Sequence, residues 1–373
     1  MGFPKPRFDI ANIVRQHRRA LEARYPLNRL QRRVLTAIGL CRTPALGGHV
    51  EVCEHGDFER FVYHSCRNRH CMKCQALAQE RWIAARSERL LDLGHFHVVF
   101  TLPVELRFLA KWYPAEVYGA MFRAVTDTLL VLGRTRLKAT LGLTLVLHTW
   151  TRELGFHPHL HVLATAGGLA LDGSGFVHSE KKCLFRVEMM GEAFRAKLLH
   201  ELGLLQARAA FPALPADLYA ARMATVARKP WVVYAKKPFR RSSRVIEYLS
   251  RYTHRVGISN SRILEESADS VTFATKQGKT ATLHPVEFLH RLVQHVLPPG
   301  FHKIRHAGLY GSVRAGGLLE RAKTFVKAYR RPKKAKEHLE RLESATRTCP
   351  VCGGELRRIP LPPLSRAPPP APS

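Results

Sequence analysis

His157, His159 and His161 stand at alternate positions of "GFHPHLHVL", separated only by Pro158 and Leu160. Strand side chains alternate between faces, so the three imidazoles project from one side. Neutral histidine is a common ligand for divalent cations, and His159 with His161 makes a platform for one. The same spacing recurs at His95 and His97 in "GHFHVVFTLP", so spacing alone does not separate a metal platform from a polar strand face. A second stretch, "RVIEYLSRYTHRVGISN" (244–260), sets Tyr248 and Tyr252 at i and i+4. On a helix both phenols share one face, a turn apart, with Arg251 and Arg255 beside them as phosphate contacts. A phenol, with an ordinary pKa of about 10, is a weak nucleophile until its target is polarised. Mg²⁺ or Mn²⁺ on His159 and His161 would polarise a phosphodiester and stabilise the leaving oxygen. Attack by tyrosine leaves a 5′-phosphotyrosine and a free 3′-hydroxyl. The bond energy is conserved, so rejoining needs no nucleotide, and the sequence contains no P-loop motif. Taken together, these residues predict cutting and rejoining of single-stranded DNA.

Cysteines form the other chemical signal. Five of the eight, Cys41, Cys53, Cys66, Cys71 and Cys74, fall within residues 41–74. Such clustering without secretory signals speaks for metal binding over disulfides. "CEHGDFERFVYHSCRNRHCMKC" (53–74) ends in a CxxC pair suited to tetrahedral zinc. The preferred ligand set is Cys53, His55, Cys71 and Cys74, with Cys66 as the rival ligand. Arg67, Arg69 and Lys73 surround it as DNA-phosphate contacts. "CPVCGG" (349–354) is half of a further knuckle whose partners must come from elsewhere.

The elements that position these groups follow from hydrophobic period and breakers. A basic amphipathic helix is predicted over 8–40 and another from about 76 to 93. Strands are predicted at 95–102, 141–150, 157–166 and 230–239, with helices at 115–138 and 188–205. Glycines at 167, 168, 173 and 175 mark a loop. Between 95 and 239 the order is β-α-β-β-α-β, an α+β split βαβ (ferredoxin-like) antiparallel sheet covered by helices. A short helix over 243–254 is followed by a hairpin. The expected units are a basic helical and zinc-binding domain (1–90), a catalytic domain with the tyrosine helix (91–265), a basic extension (266–340), and a CxxC knuckle with a disordered Pro-rich tail (341–373).

Composition bounds the partner. The 373 residues carry 60 Lys and Arg against 29 Asp and Glu, a formal charge of +31, with 46% hydrophobic residues. A folded chain this basic suits a polyanion, above all nucleic acid. A membrane-surface role is disfavoured, because no basic amphipathic helix dominates and no apolar run reaches spanning length. The N-terminus lacks a signal-peptide core, so a cytoplasmic location is expected.

These motifs together resemble the rolling-circle transposases of bacterial insertion sequences, the two-tyrosine branch of the HUH (His-hydrophobic-His) endonucleases. "LGGHVEVCEHG…SCRNRHCMKCQ" looks like that family's zinc-binding region, "HPHLH" like its HUH motif and "YLSRYTHRVGISN" like its paired-tyrosine helix. "LPPGFHKIRHAGLYG" (297–311) resembles its downstream signature. The resemblance implies His159 and His161 as HUH metal ligands and Tyr248 and Tyr252 as nucleophiles on single-stranded DNA at element ends. It also implies a third metal ligand, for which His97, His148, His157 and His254 are candidates. One departure stands out: where the family shows a CxxC after "GGH", this chain has Gly56, with His55 as the nearby donor. Replication initiators and relaxases share this chemistry. A non-enzymatic zinc-dependent DNA-binding regulator would explain the charge and the cysteines, but not the tyrosine pair or the histidine strand.

Overall fold

The computed structural model of the chain describes residues 7–56, 58–180, 183–239, 257–311, 317–329 and 348–364, with Ser242, Val245, Ile246, Pro332, Glu337 and Glu340. Tyr248, Arg251, Tyr252, His254 and Arg255 lie outside the described residues.

Pro26 divides the single helix expected over 8–40 into two. α1 (Ile10–Arg24) is capped by Asp9, whose side chain accepts from the Ala11 N–H, and α2 (Arg29–Leu40) begins in a capping box between Asn28 and Gln31. Proline has no N–H to donate into a helix, so the register cannot run through it. The buried faces of α1 and α2 pack against β8 (Ile263–Glu266), β9 (Val271–Ala274), β10 (Thr280–Leu283) and α8 (Pro285–Val293), around Phe273, Phe288 and Leu292. The helices of the expected 1–90 unit therefore share one core with part of the expected 266–340 extension.

The catalytic-region expectation of β-α-β-β-α-β corresponds to β3 (His95–Thr101), α4 (Arg107–Trp112) with α5 (Pro114–Arg136), β4 (Ala139–Trp150), β5 (Phe156–Ala170), α6 (Val187–Ala207) with α7 (Ala216–Ala227), and β7 (Val233–Phe239). The strands lie in the order β4-β5-β3-β7, every neighbouring pair antiparallel, in an α+β arrangement. β11 (Ile304–Gly308) adds to the β4 edge and β6 (Phe176–His178) pairs with β5. One face of the sheet, carrying Phe96, Val98, Phe100, Leu145, Leu147, Leu160 and Val162, is buried under α4, α5, α6 and α7. The opposite face carries the histidines. Burial of the first face fixes the second, because a one-residue slip would drive imidazoles into the helices.

Gly167 and Gly168, expected in a loop, lie inside β5. A Cβ at Gly168 would sit 2.3 Å from the Thr140 carbonyl, and one at Gly167, where φ is +135°, 2.3 Å from the Val177 carbonyl. Glycine here lets two strands close on β5 from both sides. A separate sheet joins β1 (Gly48–Cys53) to β2 (Glu59–Tyr63) and to β12 (Leu356–Leu361), so the Pro-rich end is a strand up to Leu361. Residues 365–373 lie outside the described residues. α3 (Gln75–Glu88) and α9 (Leu318–Phe325) complete the elements named here. Among the described residues, no helix is long and apolar enough to cross a membrane.

Candidate functional site

On the open face of the sheet, the register sets His148 opposite His159 and Val146 opposite His161. His148, His159 and His161 bring one ring nitrogen each within 4.8 Å of one another. The His159 Nδ1–H donates to the His157 carbonyl at 2.6 Å, which leaves Nε2 with its lone pair free to bind. His161 Nδ1 lies 2.9 Å from His97 Nε2, and we assign the proton to His161, so its Nε2 also presents a lone pair. The two Nε2 atoms stand 3.0 Å apart. Two donors each about 2.1 Å from one ion and at right angles are about 3.0 Å apart, so the pair fits adjacent positions on a divalent cation. Burial holds His159 down at about 4. Burial, followed by its histidine neighbours and Lys236, holds His161 well below the usual imidazole range. Both are therefore neutral near pH 7, the form that binds metal.

The four candidates for a third ligand separate by position. His148 joins the trio. His97, buried and held at about 3 by desolvation, stands behind His161 as a hydrogen-bond partner. His157 accepts from the Arg107 guanidinium through Nδ1 and offers its carbonyl to His159. His254 lies outside the described residues. His95, the other half of the control pair, is fully buried, with Nδ1 on the Leu93 carbonyl and Nε2 on the Tyr310 hydroxyl, a structural role. Val245 is fully buried in the cluster that contains Val146 and Leu163, on this same sheet face, three residues ahead of Tyr248.

The cysteines divide differently from the expectation. Cys71 and Cys74 gather with Cys41 and Cys66, not with Cys53 and His55. The Cys41 and Cys74 sulfurs are 3.5 Å apart and those of Cys66 and Cys74 3.6 Å. The reason is the direction of β1: it starts beside the Cys41 turn and carries Cys53 to its other end, six residues away. Cys41, at the end of α2, is the ligand-type residue that local spacing overlooked. Burial pushes its thiol up to about 11, so an ion binding there must displace protons. Four sulfurs in this arrangement can hold zinc.

Of the basic residues expected to meet DNA there, Arg67 is exposed and takes a left-handed backbone, with φ of +57° excluded to Arg42 and +51° its own. Lys73 is paired with Asp9 at 2.5 Å, and desolvation lowers the pKa of half-buried Arg69.

A groove of about 480 Å³, which sequence reasoning did not find, opens beside the histidines. Arg107, Lys111 and Arg291 supply charge, and Tyr25, Phe108 and Phe156 supply aromatic faces, with Glu287 the acidic residue of the lining. Lys111 Nζ lies 5.2 Å from the Phe156 ring centre, and Tyr25 stacks on His290 at 3.7 Å. Arg107 links the groove to the site through His157.

A histidine-bearing antiparallel sheet, a sulfur-rich N-terminal unit and a basic, aromatic groove define a DNA-processing protein. Residues 142–316 match the family described as "Putative transposase", and residues 13–102 match the "Transposase zinc-binding domain". Over 368 residues the chain is 37% identical to "Putative transposase y4qJ" of Sinorhizobium fredii (strain NBRC 101917 / NGR234), covering 92% of each. Over 302 residues it is 27% identical to "Transposase for insertion sequence element IS801" of Pseudomonas savastanoi pv. phaseolicola, covering 79% of this chain and 73% of that one. No solved structure matches at a significant level. The chain belongs to the IS91/IS801 family of transposases. The family match favours transposition over the replication-initiator and regulator readings.

Proposed function

We propose that the chain nicks and joins single-stranded DNA at the ends of an insertion element, through 5′-phosphotyrosine intermediates in rolling-circle transposition. The observation that carries this reading is the convergence of His148, His159 and His161 on one point of the sheet face, in a chain whose sequence also contains the Tyr248–Tyr252 pair. Residues 246 and 257, the described positions on either side of those tyrosines, have different anchors. Val245 packs near Val146 and Leu163, whereas Ile258 shares a core with Leu154 of the β4–β5 turn. The intervening segment must connect these two anchors.

In this mechanism the phenol oxygen of one tyrosine attacks the scissile phosphorus, and the 3′-oxygen leaves. The released 3′-hydroxyl can later attack a phosphotyrosine and restore a phosphodiester. A divalent ion bound by the three imidazoles supplies Lewis acidity at the phosphate. Arg107 fixes His157, and the His157 carbonyl fixes the His159 ring. His97 does the same for His161. The groove suits a single strand, since bases stack on aromatic faces while cations track the phosphates. The bacterial cytoplasm, where element DNA resides, is the compartment this reading implies.

The test is incubation of the protein with single-stranded and duplex oligonucleotides of the element ends. Only the single strand is expected to give a cut with protein attached to the 5′ phosphate. Equal cutting of duplex, or a cut without attached protein, would contradict the proposal. EDTA is expected to abolish cutting. Mn²⁺ should restore it at lower concentration than Mg²⁺, because imidazole nitrogen prefers the more borderline ion.

Lys111→Glu is expected to weaken single-strand binding and lower the salt-dependence slope by about one phosphate contact or more, read from binding titrations over a range of salt. The four-cysteine cluster makes a separate prediction. Cys71→Ser with Cys74→Ser should lose its zinc and become sensitive to protease within residues 7–102. Structural zinc contributes on the order of 10 kcal/mol to small metal-binding folds. Metal analysis and limited proteolysis check it.

A further inference from the structure

The knuckle at Cys349–Gly354 finds its other half far upstream. β12 pairs antiparallel with β1, from Gly48 opposite Leu361 to Cys53 opposite Leu356, and this pairing sets the knuckle against the end of β1. The Cys53 and Cys352 sulfurs, 299 residues apart in sequence, lie 3.4 Å from each other. His55 Nδ1 is 3.9 Å from the Cys53 sulfur and 3.6 Å from the Cys352 sulfur. Cys349 is buried beside Cys53, and its thiol shares hydrogen bonds with those of Cys53 and Cys352.

Around a tetrahedral zinc, two sulfurs are about 3.8 Å apart and a sulfur and an imidazole nitrogen about 3.6 Å. The observed spacings fall within a few tenths of an ångström of these. Both loops are also shaped for sulfur ligation. The Val351 N–H donates to the Cys349 sulfur and the Gly354 N–H to the Cys352 sulfur, each at 3.4 Å. Gly56 and Gly353 hold φ of +80° and +75° where the two turns reverse. All four cysteines and histidines concerned are distinct from the Cys41, Cys66, Cys71 and Cys74 cluster, and the cysteines are free of disulfides.

We propose that Cys53, His55, Cys349 and Cys352 form a second zinc site, which clamps the C-terminal strand to the N-terminal sheet. Cys349 and Cys352 lie outside both family matches, at 13–102 and 142–316. The site explains why His55 stands where a CxxC partner of Cys53 would otherwise be sought: the missing CxxC arrives from the other end of the chain. On binding, the thiol protons are released to solvent and no redox change occurs. Because the zinc closes a loop between residues far apart in sequence, it restrains the C-terminal segment by reducing its freedom before it pairs. The proposal is independent of the strand-transfer chemistry.

Metal analysis of the full-length chain, loaded with excess zinc and desalted without chelator, tests it. Two zinc ions per chain are expected, falling to one in Cys349→Ser/Cys352→Ser. One ion in the parent, or two in the variant, overturns the second site. If that variant is insoluble, His55→Ala decides. It should lose one zinc to a chromogenic chelator at a concentration that leaves both in the parent, with faster tryptic release of the C-terminal segment. Retention of both ions under that competition would overturn the proposal.

Discussion

His161→Ala is expected to lower single-strand cleavage by roughly a thousandfold or more, since a Lewis-acid contact supplies several kcal/mol and each 1.36 kcal/mol is tenfold in rate. His159→Ala should behave alike, because its Nε2 lies 3.0 Å from that of His161. DNA affinity should change little, as the charge of +31 lies elsewhere in the chain. The surrounding residues give the prediction its resolution. His97→Ala removes the partner that orients His161, and loss of such an outer partner costs about 10–100-fold. His95→Ala, whose ring bonds Leu93 and Tyr310, should reduce stability and leave the metal requirement unchanged. Single-turnover cleavage over a Mn²⁺ titration reads all four. Equal activity of the His159 and His161 variants with the parent would remove the metal platform.

The histidine strand was legible because its chemistry is local. Period two places His157, His159 and His161 on one face whatever the strand pairs with. His148 was a candidate among several, since its convergence depends on the hairpin register that sets it opposite His159, and register is not carried by spacing alone. The β-α-β-β-α-β order was likewise readable from the apolar runs. β11 was not: "IRHAG" has little alternation, and all five residues are half-buried at the sheet edge. The cysteines failed for a long-range reason. Nearness in sequence favoured Cys53 and His55 with Cys71 and Cys74, yet the length of β1 carries the first pair away and the β1–β12 pairing delivers Cys352 to it. Gly167 and Gly168 misled for the opposite reason: a residue that commonly ends strands was used here to let strands approach closely.

Tyr248→Phe with Tyr252→Phe should produce a folded protein that binds single-stranded DNA and forms no covalent adduct. Phenylalanine keeps the ring and its apolar area and removes only the attacking oxygen, so a structural tyrosine would tolerate the change and a nucleophile would not. Each single variant should retain some cleavage if either phenol can begin the reaction. Neither should complete strand transfer, which needs two attacks. A single variant that transposes normally would reduce the mechanism to one tyrosine.

Mass spectrometry of the trapped protein–oligonucleotide adduct addresses the central claim most directly. Protease digestion of the product formed with Mn²⁺ and a single-stranded element end should yield a peptide from the segment 244–260, with the DNA attached through its 5′ phosphate to Tyr248 or Tyr252. A DNA-linked peptide from any other part of the chain would contradict the account.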